Sequence, residues 1–219
     1  MQLSKLAEPP YLQIAFDCFD LDLVRRVVAA LPKSGKVILE AGTPLIKSCG
    51  IKIVGDMKKV AGDRFVIADL KTLDVGEIEA RMAAHAGADG AVVSGLAAVD
   101  TISEFIKESH KHDMYAIVDM MNVKEPLELI ESLPELPDIV LLHRGIDTER
   151  SNAAHSFENL IKIKKKFGKR LLVSIAGGIR PDSARKAIKN GADILIVGRY
   201  ITQSDNVRKV VDEFLNLME

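Results

Sequence analysis

Eight short aliphatic and β-branched runs, each followed by a longer stretch of helical periodicity, constrain the fold of this chain more tightly than any other feature. The runs lie at 12–17, 37–40, 65–71, 90–94, 115–119, 139–143, 171–175 and 194–198. The helical patterns lie at 21–31, 45–60, 75–86, 98–111, 125–132, 156–167, 182–189 and 205–217. The strand runs are almost continuously apolar, as parallel strands covered on both faces are. Strand–helix alternation repeated eight times predicts a closed (β/α)8 TIM barrel rather than an open sheet. The 219 residues suffice for one such domain, spanning 1–219. Ala86-Gly87-Ala88-Asp89 and Asn190-Gly191-Ala192-Asp193 each end a helix with glycine and lead straight into a strand, the recurrent helix-to-strand turn of a barrel.

Bulk properties narrow the functional classes. A formal net charge of −1 carries no basic footprint, so neither nucleic acid nor an anionic membrane surface is expected as a partner. No apolar stretch reaches the roughly 20 residues of a membrane span, and the first residues lack the apolar core of a secretory signal. Cys18 and Cys49 fit no zinc spacing and no disulfide framework. A reduced, cytoplasmic, soluble protein is expected.

In such a barrel the active site lies at the carboxyl ends of the strands. Those ends read Asp17, Glu40, Asp69 with Lys71, Ser94, Asp119, His143, Gly177-Gly178 and Gly198-Arg199. Stability alone explains so many polar mouths poorly. The densest segment is Asp69-Leu70-Lys71-Thr72-Leu73-Asp74. Period-two alternation puts Asp69 and Lys71 on one face, and Asp74 falls where a helix N-cap or first-turn carboxylate is favoured. The alternative is a solvated salt-bridge network around a helix start.

Paired glycines in Ser174-Ile175-Ala176-Gly177-Gly178-Ile179-Arg180-Pro181, and the glycine and guanidinium of Ile196-Val197-Gly198-Arg199, suit a phosphate after strands seven and eight. Two tight turns are the plainer reading. Glu40 and Asp69 end adjacent strands, and two carboxylates completed by ligand oxygens and water suit magnesium, with manganese as an alternative. Zinc lacks the second histidine or thiolate it would want. His143 at a mouth beside a phosphate site is an acid–base candidate. The stretch 144–155 is long for a strand-to-helix loop and is expected to form a substrate lid or an ordinary surface loop.

Asp-x-Lys-x-x-Asp after the third strand resembles the hallmark of the orotidine 5′-monophosphate decarboxylase suprafamily, and the likeness runs from Gln13 to the final helix. Within it the chain is most similar to the 3-hexulose-6-phosphate synthase branch, through the segments 12–17, 40–45, 68–74, 118–123, 143–147 and 176–179. The resemblance implies a lyase of the ribulose monophosphate pathway, adding formaldehyde to D-ribulose 5-phosphate through an enediolate to give D-arabino-3-hexulose 6-phosphate, or the reverse. It implies that Glu40 and Asp69 hold magnesium and that His143 moves a proton at substrate C1. Lys71 would stabilise oxyanion charge, held by Asp17 and Asp69. Asp17, Asp119, Gly178, Gly198 and Arg199 would bind substrate. Asp74 would reach into the neighbouring subunit's site, making the working unit a homodimer.

A related branch, the 3-keto-L-gulonate-6-phosphate decarboxylases, has an arginine where this chain has Ile146 and usually a glutamate at Asp119. Some synthases carry glycine at the position of Arg199. A sugar-phosphate epimerase or isomerase, or a non-catalytic phosphate-binding barrel, would use the same architecture. Relatives occur alone or fused to an isomerase or a formaldehyde-activating domain. The chain starts about eleven residues before its first strand run, so no fusion partner is expected within it.

Overall fold

A computed structural model describes residues 6–145 and 157–219. Eight parallel strands, β1 (Tyr11–Phe16), β2 (Val37–Ala41), β3 (Phe65–Thr72), β4 (Gly90–Ser94), β5 (Tyr115–Asp119), β6 (Ile139–His143), β7 (Leu172–Ala176) and β8 (Ile194–Val197), pair in sequence order. β8 closes onto β1, giving the expected (β/α)8 barrel. Between them run α1 (Leu21–Ala30), α2 (Thr43–Cys49), α3 (Lys52–Ala61), α4 (Gly76–His85), α5 (Val99–Lys111), α6 (Pro126–Ser132), α7 (Glu158–Phe167), α8 (Pro181–Lys189), α9 (Arg199–Thr202) and α10 (Val207–Asn216). Among the described residues, no helix is long and apolar enough to cross a membrane.

The pleat sorts each strand into two environments. Leu12, Ile14 and Phe16 of β1 point outward into the layer between barrel and helices, and so do their counterparts on every other strand. The inward set, including Tyr11, Ala15, Ile38, Phe65, Ile67, Tyr115, Ile117, Ile139 and Ile194, fills the barrel itself. At the amino end of the barrel Phe65 and Tyr115 meet edge to face at 5.1 Å, and the Tyr115 hydroxyl accepts the Leu6 N–H at 3.1 Å. Further along, the inward positions of β2, β3, β5 and β6 turn polar at Glu40, Asp69, Asp119 and His143, and the cavity begins.

Three boundaries differ from expectation. The helix expected over 45–60 is two helices, because Gly50 takes φ +76° and ends α2. The chain after β8 forms the extra short helix α9 before α10. The helix expected from 75 starts at Gly76, with Val75 at its N-cap in the left-handed region (φ 50°, ψ 46°). The stretch expected to form a lid continues past Gly145 outside the described residues, as does Ile146.

Candidate active site

The carboxyl ends of the strands surround a cavity of about 650 Å³. Ala15, Val92, Leu141, Ala176 and Ile196 give it an apolar floor, and Asp17, Glu40, Asp69, Lys71 and His143 stand above that floor. Lys71 reaches the cavity through a distortion. The β3–β4 register shifts between Ala68 and Thr72, and Lys71 takes φ +49°. A bulge of this kind re-aims a side chain at a backbone cost of about 1–3 kcal/mol. The strain is set against what the ammonium then reaches: Asp69 Oδ2 at 2.6 Å and Asp119 Oδ2 at 3.3 Å.

Asp119 is the hub. The oxygen that faces Lys71 also accepts from His143 Nδ1 at 3.0 Å, while Oδ1 accepts the Met121 N–H at 2.9 Å. Burial opposes its charge, but the hydrogen bond and charge of His143, with Lys71 and the Met121 amide, outweigh burial and hold its carboxyl below the usual range. Burial likewise pulls on Lys71, yet Asp69 and Asp119 together raise its pKa, so the ammonium stays charged. With Nδ1 engaged by Asp119, Nε2 is the ring nitrogen His143 has left for the cavity it lines.

Next to His143, after β7, the wall is formed largely by glycine backbone. Gly177 takes φ +100°, and a Cβ built there would lie 2.2 Å from the Arg144 carbonyl, so only glycine permits this loop. Gly178, Gly198, Arg199 and Tyr200 continue that wall, beside the start of α8, where Pro181 occupies the first turn. Amide groups, a helix start and a guanidinium make this end receptive to an anion.

A family model described as the orotidine 5′-phosphate decarboxylase / HUMPS family matches residues 10–214. The chain belongs to this family. Among relatives in the orotidine 5′-phosphate decarboxylase / HUMPS family, the bifunctional enzyme Fae/Hps of Methanothrix thermoacetophila is 47% identical over 218 residues, covering 100% of this chain and 55% of the relative. That of Methanoregula boonei is 49% identical over 215 residues, 98% of this chain and 54% of the relative. The chain thus spans about half the length of the curated relatives it matches. A crystal structure of 3-hexulose-6-phosphate synthase superposes with TM-score 0.84 at 28% identity, covering 96% of this chain and 100% of that one.

Most of the residues expected at the site of this family member do line the cavity: Asp17, Glu40, Asp69, Lys71, His143, Gly178, Gly198 and Arg199. Three expectations need correction. Lys71 is gripped by Asp69 and Asp119, not by Asp17 and Asp69; Asp17 stands at the rim and acts on the ammonium only at longer range. Asp119, expected to bind substrate, is 2% exposed behind Lys71 and His143 and is not on the cavity wall. Asp74 is no helix cap: it lies one residue before the N-cap, exposed, its Oδ1 accepting the Val75 N–H at 2.8 Å. Ser94 is spent on a turn, accepting the Leu96 N–H at 3.2 Å.

Two side chains escaped the sequence reading. Gln13 is buried inside the barrel, and its Nε2 donates to Glu40 Oε2 at 2.5 Å. Counting back from Asp17 by twos reaches it, so the signal was present. Thr43 Oγ1 lies 2.8 Å from Asp69 Oδ2 and 3.0 Å from the Asp69 carbonyl, a link across β2 and β3 that local pattern does not reveal.

Glu40 and Asp69 pass the test for a hard cation. Asp69 Oδ1 is buried with no hydrogen-bond partner among the described residues. Burial first, and then the charge of Asp69, push the Glu40 carboxyl up to about 8. Two crowded carboxylates with an orphaned oxygen between cavity and wall suit a divalent ion that keeps water and substrate oxygens as its other ligands. Among the described residues no group of three or more His, Cys, Asp or Glu converges into a ready-made metal cage.

Proposed function

We propose that this chain catalyses the aldol addition of formaldehyde to D-ribulose 5-phosphate, giving D-arabino-3-hexulose 6-phosphate, or the reverse cleavage. The observation that carries the reading is the relay Lys71–Asp119–His143, which opens on the same apolar-floored cavity as the Gly177-Gly178 loop and Arg199. The names of the synthase structure and of the Fae/Hps relatives support it.

Glycine amides and Arg199 anchor the phosphoryl end, leaving C1 near His143. The Nε2 of His143 takes a proton from C1, and Asp119 keeps the resulting imidazolium oriented; a positioned base of this kind contributes about 10²–10⁴ in rate. The charged Lys71 opposes the negative charge that develops on the enediolate oxygens. Magnesium on Glu40 and Asp69 would supply Lewis-acid polarisation of the sugar oxygens. Asp17 at the rim accepts hydrogen bonds from hydroxyls of the sugar.

The working unit in this proposal is a homodimer. The β3–α4 connection and α4 expose Leu73 (61%), Val75, Ile78 (53%) and Met82, with Leu96 and Val99 beside them before and at the start of α5, an apolar surface suited to a second copy. Asp74 sits within it, outside its own cavity, where it can serve a partner's site. A cytoplasmic setting suits two free thiols, Cys18 buried and Cys49 exposed.

Turnover is measured with and without a chelator, in one arm with ribulose 5-phosphate and formaldehyde, in the other with 3-keto-L-gulonate 6-phosphate. Metal-dependent consumption of formaldehyde in the first arm alone is expected. Carbon dioxide release in the second would transfer the assignment to the decarboxylases, and silence in both would reopen the epimerase and binding-protein readings. Asp69→Ala is expected to abolish metal-dependent turnover with the circular dichroism unchanged; full activity would remove Asp69 from the mechanism.

A further inference from the structure

We propose that Arg180, resting on the ring of Tyr200, is a second cation of the phosphoryl end and sets the preference of this site for phosphorylated over unphosphorylated ligands. The identity of the sugar rests on the function proposed above; the role of Arg180 toward a phosphoryl group does not.

The backbone at Arg180 is held from both sides. Ile179 is buried, and Ser183 Oγ accepts the Arg180 N–H at 2.9 Å while donating to the Arg180 carbonyl at 3.0 Å. From this pinned N-cap the side chain crosses from the β7–α8 loop to the β8–α9 loop. Its guanidinium carbon lies 5.5 Å from the centre of the Tyr200 ring. The ring is braced from behind, edge to face with the fully buried Phe214 at 6.0 Å. Arg180, Arg199 and Tyr200 all line the cavity.

A stacked guanidinium keeps its in-plane N–H donors free, because the aromatic face engages only the flat side of the ion. Among the described residues no carboxylate pairs with Arg180. A phosphate monoester carries close to two negative charges near neutrality, about −1.5 to −2. One arginine leaves that charge incompletely answered, and a second, preoriented guanidinium offers a bidentate fork from the neighbouring loop.

The phosphoryl group is remote from the reacting carbon, so the contact binds ground and transition states alike. Arg180→Gln is therefore expected to raise KM for ribulose 5-phosphate about 10-fold or more with kcat within about twofold. Arg180→Lys and Tyr200→Leu, which keep the charge without the stacked fork or remove its rest, should fall between it and wild type. Calorimetric binding of inorganic phosphate provides the arm that is independent of turnover, with about a 10-fold loss expected in Arg180→Gln. Phosphate affinity and KM unchanged in Arg180→Gln, with only Tm lowered, would make Arg180 a loop staple and overturn the proposal, as would a wild-type protein that does not bind phosphate. A wild type inactive on ribulose 5-phosphate that still binds phosphate through Arg180 would sink the proposed reaction and leave this assignment standing.

Discussion

Asp119 serves Lys71 and His143 with a single oxygen, and much of the chemistry hangs on that atom. An asparagine there keeps the shape but presents a neutral amide. His143 then loses the partner that fixes its tautomer, and Lys71 loses one of its two carboxylates. Asp119→Asn is expected to lower kcat by about 10²–10⁴ with little change in Tm, as read by steady-state kinetics and thermal melting. A loss confined to KM would return Asp119 to simple substrate binding. The strained backbone belongs to the same scale. Lys71 and Val75 both sit at φ near +50°, four residues apart, bracketing the turn that aims the lysine inward and Asp74 outward.

At the level of elements, the barrel repeats one joint three times. Asp89, Asp138 and Asp193 each precede a strand, and each accepts a backbone N–H from the strand before it: Val66 at 2.9 Å, Ala116 at 2.8 Å and Val173 at 2.7 Å. A cation from the helix leading into that earlier strand (α3, α5 or α7) faces each carboxylate: Lys58 at 2.6 Å, His110 at 2.9 Å and Lys164 at 2.8 Å. The middle joint is sensitive to pH. His110 sits between two acceptors, Glu135 on Nδ1 and Asp138 on Nε2, so both ring nitrogens must carry protons. The Asp138 hydrogen bond leads in raising its pKa above 6.5, against partial burial. The folded state therefore favours the protonated ring. That stabilisation is fully present below the unfolded pKa and is lost as pH rises through the folded one. Melting curves across the neutral range should show wild type above His110→Asn at low pH, the gap narrowing as pH rises. A constant gap would mean that His110 contributes by packing alone.

For the whole molecule, the decisive question is whether two copies share their sites. Asp74 points away from its own cavity and stands among exposed apolar side chains of the β3–α4 corner. If it completes a partner's site, Lys71→Ala and Asp74→Ala proteins, each inactive alone, should regain activity on mixing and re-equilibration. With random pairing, one site in each mixed dimer is intact, so about a quarter of wild-type activity is expected. No recovery, with mixed dimers verified by mass spectrometry, would place Asp74 in its own subunit's service or outside catalysis.

The alternation of apolar runs with amphipathic stretches was enough for the barrel, because strand pleat and helix periodicity are local properties written in residue order. The mouth residues followed, since a strand's last inward position can be counted. Tertiary structure decided what counting cannot reach: that Asp119, not Asp17, is the second grip on Lys71, that Gln13 and Thr43 hold the two carboxylates, and that Arg180 meets Tyr200. Each of these contacts joins different strands or loops. Their existence depends on strand stagger around the closed barrel and on the bulge at Lys71, which no local window of sequence contains.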